Sequence, residues 1–294
     1  MKVYNQHGLR RLLTNLSLYF RPKSISEALA LLQKNSGSVL VIAGGTKLVR
    51  AENHVVRELV DISGLGLNQI NLEAGLLRIG ATVTVQELVD ASEIQAFADG
   101  IISEAAQLTH HSRQVRNAST VGGELATTGP LSPLYCALLV LQAQVRIAGG
   151  EEFALAMNIF KNKKEVSGGL LLEVLVPETA PHCSAALAAA GERVGQPAIC
   201  ACARLTLQKG RCEEVKLAIS GTAPVPQRLH EVETFLTGKK VTANTLDEVA
   251  DRVTALYQPI SDALASQTFR REASRFVVKK ALQECLDRAE STLL

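Results

Sequence analysis

The chain has 294 residues, of which 47% are hydrophobic and 20% are charged. This composition is typical of a soluble globular protein and excludes a mainly disordered chain. The 31 Lys and Arg residues nearly balance the 29 Asp and Glu residues, so the net charge of +2 provides no strong positive field for binding a nucleic acid. The length exceeds one ordinary domain of ~150 residues, and two domains are therefore expected.

The sequence shows no sign of a membrane segment. The longest apolar run, residues 134–141, falls far short of the ~20 residues that cross a bilayer. The amino terminus lacks the apolar stretch and the cleavage site of a secretory signal. The six cysteines include no C-x-x-C pair, which indicates reduced thiols rather than a disulfide framework or a metal site. We therefore predict a cytoplasmic protein with no membrane partner, no nucleic-acid partner and no metal site.

The first sixty residues favour a small α/β layer. Ser24 and Glu27 form a capping box that opens a helix ending near Asn35. The apolar run 39–42 is bounded by glycines and is typical of a buried parallel strand, and a second strand is expected at 58–62.

From residue 68 onward the pattern indicates antiparallel strands and helices. The runs 70–72 and 76–79 flank a turn and predict a hairpin. Thr84 and Glu87 form a second capping box, which opens a helix toward Ala91. Further helices are expected over 101–108 and 132–141, and further strands over 145–148 and 169–176.

Pro177 and Pro181 mark the end of the first domain. The second domain is expected to be α+β. The runs 200–207 and 214–219 predict a hairpin around Lys209 and Gly210, in which Cys200 and Cys202 share the buried face of a strand. Helices are expected over 227–236, 246–256 and 269–289.

Two glycine-bearing segments are the candidates for chemistry. The first, residues 43–48, reads A-G-G-T-K-L and follows a predicted buried strand; the second, residues 116–126, reads R-N-A-S-T-V-G-G-E-L-A. Glycine lets backbone N–H groups converge on an anion without a side chain in the way. Neither segment matches the Rossmann or P-loop pattern, and a single glycine pair is most often only a turn.

Taken together, the two segments resemble the FAD-binding medium subunit of molybdenum hydroxylases, the family of xanthine dehydrogenase and carbon monoxide dehydrogenase flavoprotein subunits. Residues 42–48 are similar to the A-G-G-T-[DK]-L turn of that family, and residues 116–126 to its R-N-x-[AG]-T-[IVL]-G-G-N-[LI]-A run. Shorter similarities extend the resemblance over nearly the whole chain, at residues 20–22, 76–80, 171–177 and 269–271.

The resemblance implies an α+β fold. A vanillyl-alcohol-oxidase-type (PCMH-type) FAD-binding domain would cover residues 1–177, in subdomains of about 1–62 and 63–177, and a smaller α+β C-terminal domain would cover residues 181–294. The implied function is that of an FAD-binding electron-transfer subunit. Its implied partners are a molybdopterin-binding large subunit, a [2Fe–2S] small subunit, and NAD or another electron acceptor. No catalytic side chain is implied, because the flavin performs the redox chemistry.

The resemblance also implies a set of cofactor-binding residues. The backbone of the first segment would donate hydrogen bonds to the FAD pyrophosphate, and the second segment would form the opposing wall. Leu171 would lie under the isoalloxazine or the ribityl chain, with Ser132 nearby and His110 in a flavin-contacting position. The full set is Ile42, Ala43, Gly44, Gly45, Thr46, Lys47, Leu48, His110, Ser119, Thr120, Gly122, Gly123, Glu124, Ser132 and Leu171.

Two residues depart from the family pattern. Glu124 stands where the family usually has Asn, and Pro133 stands where Asp commonly follows the serine. Since a carboxylate beside a pyrophosphate is repelled, we expect Glu124 to turn toward a ribose or ribityl hydroxyl. The alternative is a degenerate member that binds flavin weakly or not at all and acts as a structural scaffold. A metal site at His110 and His111 is less favoured, because consecutive side chains on a helix point in different directions.

Overall fold

The protein is described by a computed structural model over residues 16–34, 39–48, 57–149, 153–156, 169–193 and 195–291. Within these ranges the chain forms a three-stranded, a five-stranded and a four-stranded sheet. Helices cover the sheets, and no helix in the described ranges is both long and apolar enough to cross a membrane.

The three-stranded sheet is entirely parallel and agrees with the predicted α/β layer. It contains β1 (Leu18–Phe20), β2 (Val39–Ile42) and β3 (Glu58–Asp61) in the order β1-β3-β2, with α1 (Ile25–Lys34) between β1 and β2. Ser24 Oγ accepts from the Glu27 N–H at 3.2 Å, whereas the Glu27 carboxylate accepts from Lys23 N at 2.7 Å. The cap therefore includes Lys23 in addition to the predicted Ser24 and Glu27. The predicted end of α1 near Asn35 lies outside the described residues.

The five-stranded sheet is antiparallel and has the order β4-β5-β8-β6-β7. Its strands are β4 (Ile70–Glu73), β5 (Leu76–Gly80), β6 (Gln144–Ala148), β7 (Phe153–Ala156) and β8 (Leu170–Pro177). Between β5 and β6 the chain forms α2 (Val85–Asp90), α3 (Ser92–Ala96), α4 (Ile101–Thr109), α5 (Arg113–Ala118), α6 (Val121–Ala126) and α7 (Pro133–Val140). The predicted hairpin and the Thr84–Glu87 capping box are confirmed.

The second glycine segment, residues 116–126, is mostly helical and is not a glycine-rich turn. It consists of the end of α5, the two linking residues Ser119 and Thr120, and all of α6, so its glycine pair lies inside a helix. The physical reason is close backbone packing. Gly122 N donates to the Ala81 carbonyl at 2.8 Å, and a Cβ at Gly122 would lie only 2.8 Å from the same oxygen.

The four-stranded sheet is antiparallel and has the order β12-β11-β10-β9. Its strands are β9 (Cys183–Arg193), β10 (Gln196–Gln208), β11 (Arg211–Ile219) and β12 (Gln227–Arg228), followed by α8 (His230–Leu236), α9 (Ala243–Leu256) and α10 (Gln267–Ser291). The hairpin at Lys209–Gly210 is confirmed. The helix predicted over 227–236 is wrong at its start, because Arg228 pairs with Ala218 at the edge of the sheet and the helix begins only at His230.

Helix α7 joins the two larger sheets into one hydrophobic core. All eight residues of α7 are buried. One cluster combines this helix with Val145 and Val174 of the five-stranded sheet and with Cys200 and Cys202 of the four-stranded sheet. The two cysteines thus share a buried face, as expected. Residues from before and after the predicted domain boundary at 177–181 share this core. The boundary itself stays a prediction.

Candidate functional site

The first glycine segment follows directly from the end of β2. The Ile42 carbonyl accepts from Ile62 N at 2.9 Å, which fixes the point where the chain leaves the sheet. Gly45 has φ +70°, a left-handed conformation that favours glycine. Gly44 lies against the second segment, since a Cβ there would stand 1.5 Å from the Ala118 carbonyl oxygen. The sequence A-G-G therefore allows one turn to touch the backbone of another part of the chain.

The second segment is bound to the chain between β5 and α2. Val85 N donates to the Ser119 carbonyl and Val121 N donates to the Val83 carbonyl, each at 2.8 Å. Thr120 is the N-cap of α6, and its hydroxyl accepts from Gly123 N at 3.2 Å. The first N–H groups of α6 therefore have partners within the chain. The second segment contributes shape and side chains to the site rather than free backbone donors.

Side chains connect the two segments directly. The hydroxyls of Thr46 and Ser119 lie 3.1 Å apart. Lys47 Nζ donates to Glu124 Oε2 at 2.7 Å, and His110 Nε2 lies 2.8 Å from Glu124 Oε1. Because an ionised carboxylate only accepts hydrogen bonds, the His110 nitrogen is the donor in this contact.

Glu124 is 2% exposed, so its charge is buried in the protein. Its two carboxylate oxygens contact Lys47 and His110. Burial alone would raise the pKa of the Glu124 carboxyl. The hydrogen bond with His110 and the charge of Lys47 outweigh that effect and hold the pKa below its ordinary value. The residue is therefore an anion at neutral pH with a cation beside it.

His110 follows the last residue of α4 and is in an extended conformation. The buried Arg116 guanidinium donates to the carbonyls of His110 at 2.6 Å and His111 at 2.8 Å, and to Gln86 Oε1 at 2.8 Å. His111 is exposed, so only His110 reaches the site. In the described ranges, no group of three or more His, Cys, Asp or Glu side chains is arranged to hold a metal ion.

A groove of about 340 Å³ lies beside the contact between the two segments. Seven of its ten lining residues have polar side chains, and they come from both segments, from the connection between β3 and β4, and from the chain that leads from β5 into α2. The lining residues are Ala43, Gly44, Ser63, Asn68, Thr82, Thr84, Glu87, Asn117, Ala118 and Thr120. The residues outside the two segments were not predicted, because neither the connection from β3 to β4 nor that from β5 to α2 carries an anion-binding motif.

The hydroxyl of Thr82 has no hydrogen-bond partner among the described residues, although its oxygen is buried. Thr82 is 7% exposed and lines the groove. A buried polar group without a partner costs about 1–3 kcal/mol, so such groups are normally satisfied by the chain, by water or by a ligand. The Thr82 hydroxyl therefore offers one unused polar contact to a ligand in the groove.

The structure brings together only part of the predicted set. Ala43, Gly44 and Thr120 line the groove. Ser132 instead caps α7 by accepting from Tyr135 N at 3.2 Å, and Leu171 lies half-buried in β8 opposite Ile147; neither lines the groove. Half-buried Ile42 precedes the first segment, and half-buried Leu48 is its last residue.

Two family profiles match most of the chain. The profile described as the FAD binding domain in molybdopterin dehydrogenase matches residues 13–179. The profile described as the CO dehydrogenase flavoprotein C-terminal domain matches residues 188–285.

Similar proteins match over nearly their full length. The glyceraldehyde dehydrogenase medium chain of Sulfolobus acidocaldarius is 27% identical over 282 residues, which cover 90% of this chain and 97% of that protein. The xanthine dehydrogenase FAD-binding subunit of Escherichia coli O157:H7 is 26% identical over 291 residues, which cover 94% of this chain and 98% of that protein.

The fold also has a solved counterpart. It is the structure of carbon monoxide dehydrogenase from Hydrogenophaga pseudoflava that lacks the Mo-pyranopterin moiety of the molybdenum cofactor. A chain of that structure superimposes with a TM-score of 0.86 at 24% identity, covering 93% of this chain and 98% of the other. The likeness confirms the α+β fold expected from the sequence.

Proposed function

Because this chain belongs to the family of FAD-binding medium subunits of molybdenum hydroxylases, we propose that it is the electron-transfer subunit of such a complex. In this proposal it takes electrons from [2Fe–2S] centres on a small partner subunit and passes them to NAD or another acceptor. A molybdopterin-binding large subunit would oxidise the substrate. The similar proteins named above are subunits of dehydrogenases, which supports the proposal.

The observation that carries the proposal is the meeting of the two glycine segments beside a groove that contains an unsatisfied hydroxyl. Gly44 lies on the backbone of Ala118, and Thr82 and Thr120 line the adjacent groove. FAD, when bound, supplies the one-electron and two-electron chemistry. The residues of the chain itself bind the FAD and orient it.

The first segment provides the donors in this proposal. Within the described ranges, no backbone N–H of residues 43–47 donates a hydrogen bond to another residue of the chain. A diphosphate accepts such groups well, because several N–H dipoles converge where no side chain intervenes. The Thr82 hydroxyl provides one further polar contact on the groove side.

Flavin binding by two glycine variants tests the proposal. The purified full chain is incubated with FAD, and the dissociation constant is measured by flavin fluorescence. Gly45→Asp places a side chain and a negative charge in the first segment, and should weaken binding at least about tenfold. Gly210→Asp is the matched control: it has a similar positive φ, +72°, but lies in the β10–β11 hairpin with open space around it.

The outcomes separate the two candidate functions. If the parent chain takes up no flavin, the scaffold alternative is favoured. If the parent and Gly45→Asp bind equally well, the assigned site is wrong. If both glycine variants lose flavin together, the loss comes from backbone strain and the site is again not supported.

The partner assignment has a separate test. The chain has no C-x-x-C pair, and cluster-binding motifs usually need closely spaced cysteines. It should therefore co-purify with a cysteine-rich small subunit and a large subunit. An isolated chain that oxidises purines or aldehydes with no partner present would contradict this part of the proposal.

A further inference from the structure

A buried carboxylate lies at the point where the two glycine segments meet. The Glu124 side chain is 3% exposed, whereas the side chains of Lys47 and His110 are 37% and 22% exposed. Lys47 belongs to the first segment and Glu124 to the second, and His110 directly follows α4. One anion thus connects three separate stretches of the chain.

We propose that Glu124 is a positioning residue that fixes the two glycine segments relative to each other and thereby sets the affinity for the dinucleotide. This inference rests on the proposed function, because the affinity in question is that for FAD. The carboxylate does not act on the ligand directly. It acts through Lys47, whose backbone belongs to the first segment.

The contacts around Glu124 restrict the first segment at two consecutive residues. Lys47 contacts Glu124, and the preceding Thr46 contacts the Ser119 hydroxyl at 3.1 Å. Two adjacent contacts fix both the distance and the rotation of a short turn, which one contact cannot do. The turn in question is the one to which the proposed function assigns the diphosphate.

Charge balance explains how an anion is tolerated near a second anion. Glu124 forms ion pairs with Lys47 at 2.7 Å and with His110 at 2.8 Å when the histidine is protonated. A paired buried charge exerts a much weaker field than an isolated one, and removal of the partner of such a charge is strongly destabilising. The Asn usual in the family is thus replaced here by a Glu with its own counter-ion.

The test compares two substitutions of Glu124 in the full chain. Glu124→Gln keeps the size and can keep both contacts, since the amide oxygen accepts from Lys47 and the amide nitrogen donates to His110 when the imidazole Nε2 is the unprotonated nitrogen. Glu124→Leu removes both. We expect FAD to bind Glu124→Gln within about tenfold of the parent and Glu124→Leu at least about tenfold more weakly than Glu124→Gln. Rescue by the conservative variant marks a positioning role.

A matched control separates positioning from general stability. Glu233 in α8 is also a buried carboxylate, 7% exposed, and contacts Arg228 at 2.6 Å and His230 at 3.2 Å. Glu233→Leu should lower the urea midpoint as Glu124→Leu does but leave the FAD dissociation constant unchanged. If Glu124→Leu does not fold, Lys47→Met takes its place. This variant removes only the contact of Glu124 with Lys47, at a half-exposed side chain, and should weaken FAD binding about threefold to tenfold.

Two results would overturn the inference. In the first, Glu124→Leu, or Lys47→Met in its place, binds FAD as tightly as the parent. In the second, Glu124→Gln binds at least about a hundredfold more tightly, which would mean that Glu124 repels the cofactor. Both results require a parent that binds FAD. A parent that binds none contradicts the proposed function instead, so the two failures are distinguishable.

Discussion

Thr82 places a hydroxyl where no residue of the described ranges offers it a partner, although backbone and side chains surround it on most sides. A valine has nearly the same shape and would remove the unsatisfied oxygen. A ligand in the groove beside the two glycine segments would give this hydroxyl a partner.

Thr82→Val should separate stability from binding. Without flavin, the variant should be as stable as the parent or more stable by about 1 kcal/mol, because an unsatisfied buried group is lost. With FAD, affinity should fall roughly fivefold to tenfold, the value of one hydrogen bond. Urea unfolding and flavin fluorescence measure the two effects.

The control is Thr222→Val, at a residue that is 4% exposed and whose hydroxyl donates to the Val225 carbonyl at 2.8 Å. It should show the opposite pattern, with about 1 kcal/mol of stability lost and unchanged flavin binding. Equal flavin affinity in Thr82→Val and the parent would contradict the role given to the Thr82 hydroxyl.

Among single residues of the site, those in a sequence motif were predicted and those outside any motif were missed. Gly44 and Thr120 belong to a recognisable motif and line the groove. Thr82 and Asn68 belong to no motif, and only the three-dimensional path of the chain places them there. The partners of Glu124 were also unpredictable, because Lys47 and His110 become neighbours only when helices α4, α5 and α6 are packed.

Helix α6 is the element on which the second segment depends. It has only six residues, and its first turn is held by the Thr120 hydroxyl and by backbone bonds to the chain after β5. Such a short helix has little stability of its own, so its position depends on its cap and its neighbours. Removal of the Thr120 cap should therefore also change the groove.

Thr120→Val removes this cap and should cost about 1 kcal/mol of stability. It should also weaken FAD binding by more than that loss explains, because the residue lines the groove. Thr242→Val removes the corresponding cap of α9, where the Thr242 hydroxyl accepts from Thr245 N at 3.3 Å. The two variants should lose similar stability in urea, and only Thr120→Val should lose flavin. Equal flavin affinity in both would show that α6 is not part of the site.

Elements with local signals were predictable, whereas those defined by distant partners were not. Thr84 and Glu87 predicted α2 because a capping box is contained within four residues. Strand β9 was missed because residues 185–190 are mostly alanine, which has low strand propensity. These residues form a strand because they pair with β10. Strand β12 is defined only by its antiparallel pairing with β11.

At the scale of the whole molecule, α7 makes the larger sheets depend on each other. Leu138 in this helix is 1% exposed and lies in the core that contains residues of both sheets. The three-stranded sheet packs around a separate cluster that includes Leu32 of α1, 6% exposed. The two clusters should therefore differ in how far a local defect spreads.

Leu138→Ala should cost about 2–5 kcal/mol and lower the amide protection of β8 and β10 by similar amounts. Leu32→Ala should lower protection in the three-stranded sheet and leave β10 nearly unchanged. Hydrogen exchange of the full chain, read strand by strand, measures both. If Leu138→Ala affects β8 but leaves β10 protected as in the parent, the two sheets unfold independently and the shared core does not couple them.

The links between the two glycine segments also determine when the site comes into existence. Thr46 and Ser119 are 73 residues apart in the chain, and Lys47 and Glu124 are 77 apart. Contacts of such separation close long loops and form late during folding. FAD should therefore slow unfolding while leaving the refolding rate unchanged, as stopped-flow mixing with and without FAD would show. With that result, capture of the cofactor would follow folding rather than direct it.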